Sequence, residues 1–291
     1  MIKQDARKIL RDVAATLKAA SIASPQQDAR LLLAAAMRRN DAVLPHETIS
    51  FGDAENTQLQ KLVARRIARE PVSRIRGWRE FWSLRFALSS ATLDPRPDSE
   101  IIVATAIAAA KAQIATNSEK QHKLLDLGTG SGCLLLACLS ELPHAKGVGL
   151  DISEAALATA SDNATALGLS DQSDFHQHSF MNDVSQFGSF DIVLCNPPYI
   201  PAGDIAGLEP EVASYEPMLA LDGGADGLNC WRGIMAVVPH CLQADGCLVV
   251  EIGSGQENDV IRLAEKANMD CVETHKDLAG ITRCLVFKLK N

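Results

Sequence analysis

A doubly wound α/β domain with a mainly parallel sheet, preceded by a small helical bundle, is the fold predicted by the 291-residue sequence. Three observations lead there. From about residue 122 onward, short apolar runs alternate with amphipathic stretches, the pattern of βαβ units. Within that region "LLDLGTGSGCLLLACL" (124–139) reads as strand, glycine turn, helix. The first ninety residues carry helical spacing instead.

In that first third, Ile9, Leu10, Val13 and Leu17 recur at three- and four-residue steps, which predicts one buried helical stripe. "SPQQDARLLLAAAMRR" opens with Ser24 as an N-cap, Pro25 at the first helical position and Gln27 closing a capping box. A third helix runs through Leu59, Leu62, Val63 and Ile67 and ends near Glu70-Pro71. Helices with one-sided apolar faces make a bundle. Around 71–95, "FWSLRFALSSATL" reads as a short hairpin or extended connector. "DPRPDSE" then supplies Pro97 and acidic residues ahead of a helix over 99–115. Seven strands follow, at 123–127, 146–151, 174–178, 190–195, 246–252, 270–275 and 283–289. Helices are expected at 131–142, 154–168, 228–242 and 256–268. The expected division is a helical domain over 1–70, a connector over 71–98 and the α/β domain over 99–291.

Composition narrows the class. The chain is 47% hydrophobic and 22% charged, as in a globular protein with a proper core. No run approaches the roughly 18 uninterrupted apolar residues of a membrane-spanning helix. "IIVATAIAAAKAQIA" (101–115) is interrupted by Lys111, and "MIKQDARKIL" has no apolar core of a signal peptide. A cytoplasmic protein is expected. None of the eight cysteines forms C-x-x-C and none of the seven histidines has zinc spacing, so no metal is expected. Charge is uneven: residues 1–90 hold 16 Lys+Arg against 9 Asp+Glu (net +7), and the rest hold 12 against 27 (net −15). That asymmetry suggests two modules with different tasks.

The glycine turn discriminates between ligands. Gly128, Gly130 and Gly132 follow Asp126 as D-x-G-x-G-x-G, whereas a dinucleotide loop needs G-x-G-x-x-G and position 133 is Cys133. The pattern is similar to the first motif of class I S-adenosylmethionine (SAM) methyltransferases. The helix after the turn is expected to offer free N–H groups. The next strand ends at Asp151 in "GVGLDIS", where a carboxylate can accept from both ribose hydroxyls or simply cap a helix.

In "FDIVLCNPPYI" (190–200), two prolines end an apolar strand beside the first strand of the sheet. A planar NH₂ group has a delocalised lone pair. Two acceptors aimed at its N–H bonds fix the nitrogen and favour the pyramidal geometry that points the pair at a methyl donor. Asn196 Oδ1 and the Pro197 carbonyl are candidates for those acceptors, and the prolines keep the backbone rigid. Tyr199 offers an aromatic face to a planar substrate group. Orientation and preorganised dipoles then supply the catalysis.

With these motifs, "REPVSRIRGWREFWSLRFALSSATLDPRPDSE" (69–100) and "DLAGITR" (277–283), nearly the whole chain resembles the HemK/PrmC family of release-factor-specific protein-(glutamine-N5) methyltransferases. The resemblance implies a class I SAM-dependent methyltransferase fold, Rossmann-like with a mainly parallel seven-stranded sheet, behind an N-terminal substrate-recognition domain. It implies SAM as cofactor and S-adenosylhomocysteine as product, with Gly128, Thr129, Gly130, Ser131, Gly132, Asp151, Phe180 and Asn196 facing the cofactor. Asn196, Pro197, Pro198 and Tyr199 would hold the glutamine of the Gly-Gly-Gln loop of class I peptide chain release factors. A monomer without membrane or direct nucleic-acid contact is expected, its basic first third steering towards an acidic release factor. Two departures stand out: Ser179 where the family usually has an acid, and Asp94 in place of an aliphatic residue before Pro-Arg-Pro. Alternatives are a ribosomal-protein glutamine, DNA adenine, rRNA guanine, or a SAM-binding module without catalysis. The acidic second part argues against nucleic acid, and the intact Asn-Pro-Pro-Tyr argues against a mere binder.

Overall fold

The computed structural model describes residues 2–116, 121–277 and 279–290. It comprises two compact units: one runs to Trp78 and takes in Glu209–Tyr215, the other holds Arg79–Leu208 and the chain from Glu216.

In the first unit β1 (Ile2–Asp5) leads into α1 (Ala6–Ala19) and α2 (Pro25–Ala36), followed by β2 (Thr48–Phe51), α3 (Asp53–Ile67) and the short α4 (Val72–Arg76). β1 and β2 pair antiparallel, Gln4 opposite Ile49. Two four-residue strands carry too little alternation to register in a periodicity reading. α1 buries Leu10, Val13 and Leu17 as expected, while Ile9 sits at the edge of that core. Ser24 does stand at the N-cap of α2, but its side chain makes no capping bond, so the expected box with Gln27 does not form. Pro25 alone marks the start. The half-box sits on α3 instead, where Glu55 accepts from the Gly52 N–H at 3.0 Å.

One buried cation ties this unit together. Arg66, from the last turn of α3, donates through Nε to Asp28 on α2 (2.8 Å) and through Nη1 to Glu211 (3.0 Å). Arg69 grips the other oxygen of Glu211 at 2.9 Å, and the Tyr215 hydroxyl donates to the Ala68 carbonyl at 2.7 Å. A guanidinium offers five donors in a fixed fork, so Arg66 can serve two carboxylates that lie far apart in sequence.

The second unit opens with a hairpin of β3 (Trp78–Phe81) and β4 (Leu84–Ala87). Trp82 and Ser83 both take positive φ (52° and 58°), the two-residue turn whose twist suits a hairpin. Phe81 and Phe86 meet edge to face at 6.2 Å inside the core. Asp94 then has a physical account: it is buried, lies 3.6 Å from Arg79, and its N–H donates to Glu216, which also pairs with Arg96 at 2.9 Å.

The remaining elements alternate: α5 (Glu100–Thr116), β5 (Lys123–Leu127), α6 (Cys133–Glu141), β6 (Lys146–Asp151), α7 (Glu154–Leu167), β7 (Ser173–Gln177) and β8 (Phe190–Cys195). The turn α8 (Pro210–Ala213) belongs to the segment that packs in the first unit. Then come α9 (Asn229–Cys241), β9 (Leu242–Glu251), α10 (Glu257–Lys266), β10 (Met269–Lys276) and β11 (Thr282–Leu289). The sheet order is β10-β11-β9-β8-β5-β6-β7, with β11 antiparallel to both neighbours and the other pairs parallel. β9 starts earlier than the expected 246 because Leu242 already pairs with Phe190 before the ladder resumes at Cys247 opposite Ile192.

Period-2 alternation builds a core on each face of this sheet. Leu124, Ile192, Leu194 and Val249 pack towards α5 and α6, while Leu125, Val193, Leu248 and Val250 pack towards α9 and α10. No helix among the described residues is long and apolar enough to cross a membrane.

Candidate active site

Register brings the predicted residues to one edge of the sheet. Leu127 at the end of β5 lies opposite Leu150 on β6 and Cys195 on β8, and Cys195 lies opposite Val250 on β9. The glycine turn, Asp151, Asn196 and Glu251 therefore all leave the sheet at its carboxyl edge. From β5 the chain winds outward through β6 and β7, then returns to the other side of β5 with β8. That reversal is the switch point at which open α/β sheets bind ligands.

The glycine turn is held by its own amides. Gly128 and Thr129 N–H groups both donate to the Leu150 carbonyl (2.8 and 2.9 Å), Gly130 N–H donates to Asp151 Oδ2 (2.9 Å), and Gly132 N–H donates to Thr129 O (2.8 Å). The N–H groups of these four turn positions are thus spent inside the fold. This is the wrong equipment for a diphosphate and acceptable for a ligand without one. All three glycines have positive φ. A Cβ on Gly132 would stand 3.0 Å from Leu136 and 3.2 Å from Ala160, and one on Gly128 would stand 3.3 Å from the Phe180 ring. Phe180 thus lies against the turn. The Ser179 hydroxyl accepts from the Met181 N–H at 3.2 Å and so shapes the turn that presents Phe180.

Two carboxylates flank the turn. Asp151 accepts from Gly130 through Oδ2 and from the Ser153 N–H through Oδ1 (2.9 Å each). The cap of α7 is Ser153, whose hydroxyl accepts from Ala156 N–H at 3.2 Å. Each Asp151 oxygen keeps a second lone pair for a hydroxyl donor. Asp126 is buried beneath the turn, where Oδ2 accepts from the Thr129 hydroxyl at 2.7 Å and Oδ1 has no partner among the described residues. Burial pushes its carboxyl up to about 7, opposed by the Thr129 bond and assisted by the Asp151 charge. Positive-φ glycines, a carboxylate pair and an orphaned buried oxygen fit a SAM-like group whose ribose and amine are hydrogen-bond donors.

Asn196-Pro197-Pro198-Tyr199 follows directly on β8, with Pro197 buried and the other three partly exposed. Asn196 Nδ2 donates to the Ser99 hydroxyl at 3.2 Å. Ser99 in turn donates to Glu251 Oε2, and the Tyr199 hydroxyl donates to Glu251 Oε1 at 3.3 Å. Burial pushes the Glu251 carboxyl up; the Ser99 and Tyr199 hydroxyls, the Arg283 charge and the Asn196 side chain work the other way. Burial and the Glu251 charge together drive the Tyr199 phenol well above its usual range, so it stays a neutral donor.

Ser99, Glu251, Gln256, Asn163 and Arg283 were not singled out from sequence. Gln256 Nε2 donates to the carbonyls of Tyr199 (2.9 Å) and Gly227 (3.2 Å), while its Oε1 accepts from Gly253 N–H (3.0 Å). Asn163, on α7, accepts from Ala87 N–H (2.7 Å) and donates to Ala87 O and Ser131 O, clamping β4 to the glycine turn. The role of "DLAGITR" also becomes visible. Asp277 accepts from Ala279 and Ile281 N–H groups and from Arg283 Nε, which holds the Arg283 charge near Glu251. Leu278 of that motif lies outside the described residues.

Two family models match the chain: "PrmC N-terminal domain" over residues 8–77 and "Methyltransferase small domain" over residues 104–207. The release factor glutamine methyltransferase of Rhodospirillum rubrum is 45% identical over 271 residues, covering 93% of this chain and 81% of that protein. Its counterpart in Bradyrhizobium diazoefficiens is 42% identical over 277 residues, covering 94% and 92%. Among solved structures, the hMettl16 catalytic domain in complex with MAT2A 3'UTR hairpin 6 shares the fold at 14% identity. Its TM-score is 0.54, over 86% of this chain and 87% of that one.

Proposed function

Because the chain belongs to the release factor glutamine methyltransferase family, we propose that it methylates the side-chain amide nitrogen (N5) of the Gly-Gly-Gln-loop glutamine in class I peptide chain release factors. The observation that carries this reading is the placement of Asn196-Pro197-Pro198-Tyr199 at the end of β8, in register with the glycine turn on β5. Such a substrate works in the cytoplasm, where we place the enzyme.

SAM, when bound, supplies an electrophilic methyl and leaves as S-adenosylhomocysteine. Gly128, Thr129, Gly130, Ser131 and Gly132 would shape its seat, Asp151 would accept from its ribose, and Phe180 would pack against it. Asn196 Oδ1 and the Pro197 carbonyl accept the two N–H bonds of the substrate amide, which fixes the nitrogen and turns its lone pair outward. Pro197 and Pro198 hold those acceptors in place without competing donors. Tyr199 lies along the substrate's planar group, its hydroxyl tethered to Glu251. The nitrogen loses its proton readily once it carries positive charge, so no side chain is assigned as general base.

Labelled SAM offered with release factor, with its loop Gln→Ala variant, with a ribosomal protein and with unmethylated DNA tests the reading. Label is expected on release factor alone, lost in the Gln→Ala variant. Label that persists in that variant sinks the assignment.

A further inference from the structure

Asn196 can act as an acceptor towards substrate only if its side-chain amide points one way round. Rotating that amide by 180° would place Nδ2, a donor, where Oδ1 is required, and the substrate's N–H bonds would face another N–H. Carbonyl and NH₂ ends of an asparagine are nearly the same size, so shape alone does not choose between them. Something at the back of the residue must choose.

We propose that Ser99 and Glu251 are positioning residues that set the polarity of Asn196, an inference that rests on the glutamine-methylation reading of the site. The chain of reasoning is a proton count. Glu251 is 3% exposed and accepts through both oxygens, from the Ser99 hydroxyl at Oε2 and the Tyr199 hydroxyl at Oε1. Ser99, also 3% exposed, has one hydroxyl proton and donates it to Glu251 Oε2. With that proton committed, the Ser99 oxygen has only lone pairs left for Asn196. It therefore accepts from Nδ2, and Oδ1 becomes the end of the amide left for substrate. Glu251 Oε1 applies the same rule to Tyr199 by accepting its hydroxyl proton. One buried carboxylate thereby orients both ends of the tetrapeptide.

The supports of this device come from three separate stretches. Ser99 closes the Pro97–Ser99 turn ahead of α5, Asn196 and Tyr199 follow β8, and Glu251 ends β9. Cys284 of β11 pairs with Glu251, which brings the neighbouring Arg283 charge to that end of β9. A serine that merely packed would not need to bond a carboxylate and an amide at once while so little exposed, since each buried polar atom costs free energy unless it is bonded.

The test compares wild type with Ser99→Ala, Ser99→Thr and Glu251→Gln, each measured for kcat, KM for release factor, SAM affinity and melting temperature. Ser99→Ala is expected to lower kcat by about 10-fold to 100-fold, the scale of a misaligned acceptor, with SAM affinity near that of wild type and a melting temperature lowered because Glu251 Oε2 loses its donor. Ser99→Thr, which keeps the hydroxyl, restores most of the loss. Glu251→Gln lowers kcat in the same direction because an amide no longer obliges Ser99 to donate. In an Asn196→Ala background Ser99→Ala adds nothing. Wild-type kcat in Ser99→Ala, or a loss that fully adds to that of Asn196→Ala, overturns the inference. A second measurement needs no turnover: with 15N-labelled asparagine, the Asn196 side-chain NH₂ is slow to exchange in wild type and fast in Ser99→Ala. Equal exchange overturns the inference whatever the substrate proves to be. Failure of wild type to label release factor counts against the glutamine reading alone.

Discussion

At the scale of single residues, the site depends on acceptors held in place by groups behind them. Asn196→Ala removes one of the two acceptors proposed for the substrate amide and is expected to lower kcat by about 10²-fold or more. SAM binding, measured by calorimetry, should largely survive, because the glycine turn and Asp151 are untouched. Asp126 makes a prediction about stability. Its carboxyl is raised from 3.8 to about 7 by burial, so between those values the folded protein keeps a proton that the unfolded chain has released. Stability from this group is complete below pH 3.8 and is lost as pH rises through about 7. The sum is on the order of 4 kcal/mol. Asp126→Asn still accepts from Thr129 but does not titrate there, so urea unfolding at pH 5 and pH 8 should show a flatter dependence in the variant.

Individual elements meet at the glycine turn, and Asn163 shows how. One side chain on α7 satisfies both backbone groups of Ala87 on β4 and the carbonyl of Ser131. Asn163→Ala leaves the buried Ser131 carbonyl and both backbone groups of Ala87 without that partner, a cost of about 1–3 kcal/mol. A lower melting temperature and weaker SAM binding are expected, with kcat at saturating SAM close to wild type. The hairpin of β3 and β4 and the glycine turn are thus joined through α7. The family motif at 69–100 covers this hairpin and Ser99. Part of its length therefore carries Ser99, which accepts from Asn196, and Ala87, which braces the turn through Asn163.

For the whole molecule, each unit has its own polar anchor. In the first unit Arg66 serves Asp28 and Glu211 while only 8% of its side chain is exposed. Arg66→Ala would strand Asp28 and leave Glu211 to Arg69 alone, at a cost of about 3–5 kcal/mol. Faster limited proteolysis within Glu209–Tyr215 is the expected sign, since that segment is then held by Arg69 and the Tyr215 hydroxyl without Arg66. The net charge of +7 over residues 1–90 makes the second prediction at this scale. Some of that charge is internal, as with Arg66 and Arg69, but steering by the remainder should make KM for release factor rise with salt while SAM affinity stays level. Equal salt response in both would count against steering.

Much of this was legible beforehand because it follows from local rules. Short apolar runs between helical stretches gave all seven strands of the large sheet to within a few residues. Glycine spacing separated a SAM-type turn from a dinucleotide loop, and two prolines marked the end of β8. The small β1–β2 ribbon was missed because four-residue strands carry almost no pattern. The Ser24 capping box was expected from residue types that the fold did not use. Ser99, Asn163, Glu251 and Gln256 stayed hidden for a different reason. Each is a common polar residue whose partners lie tens of residues away, up to 152 for Ser99 and Glu251. Local sequence determined which elements form and which motifs end them, because backbone preference and burial periodicity act over a few residues. Only tertiary structure decided which way Asn196 faces, because the direction of a hydrogen bond depends on partners that folding alone brings together.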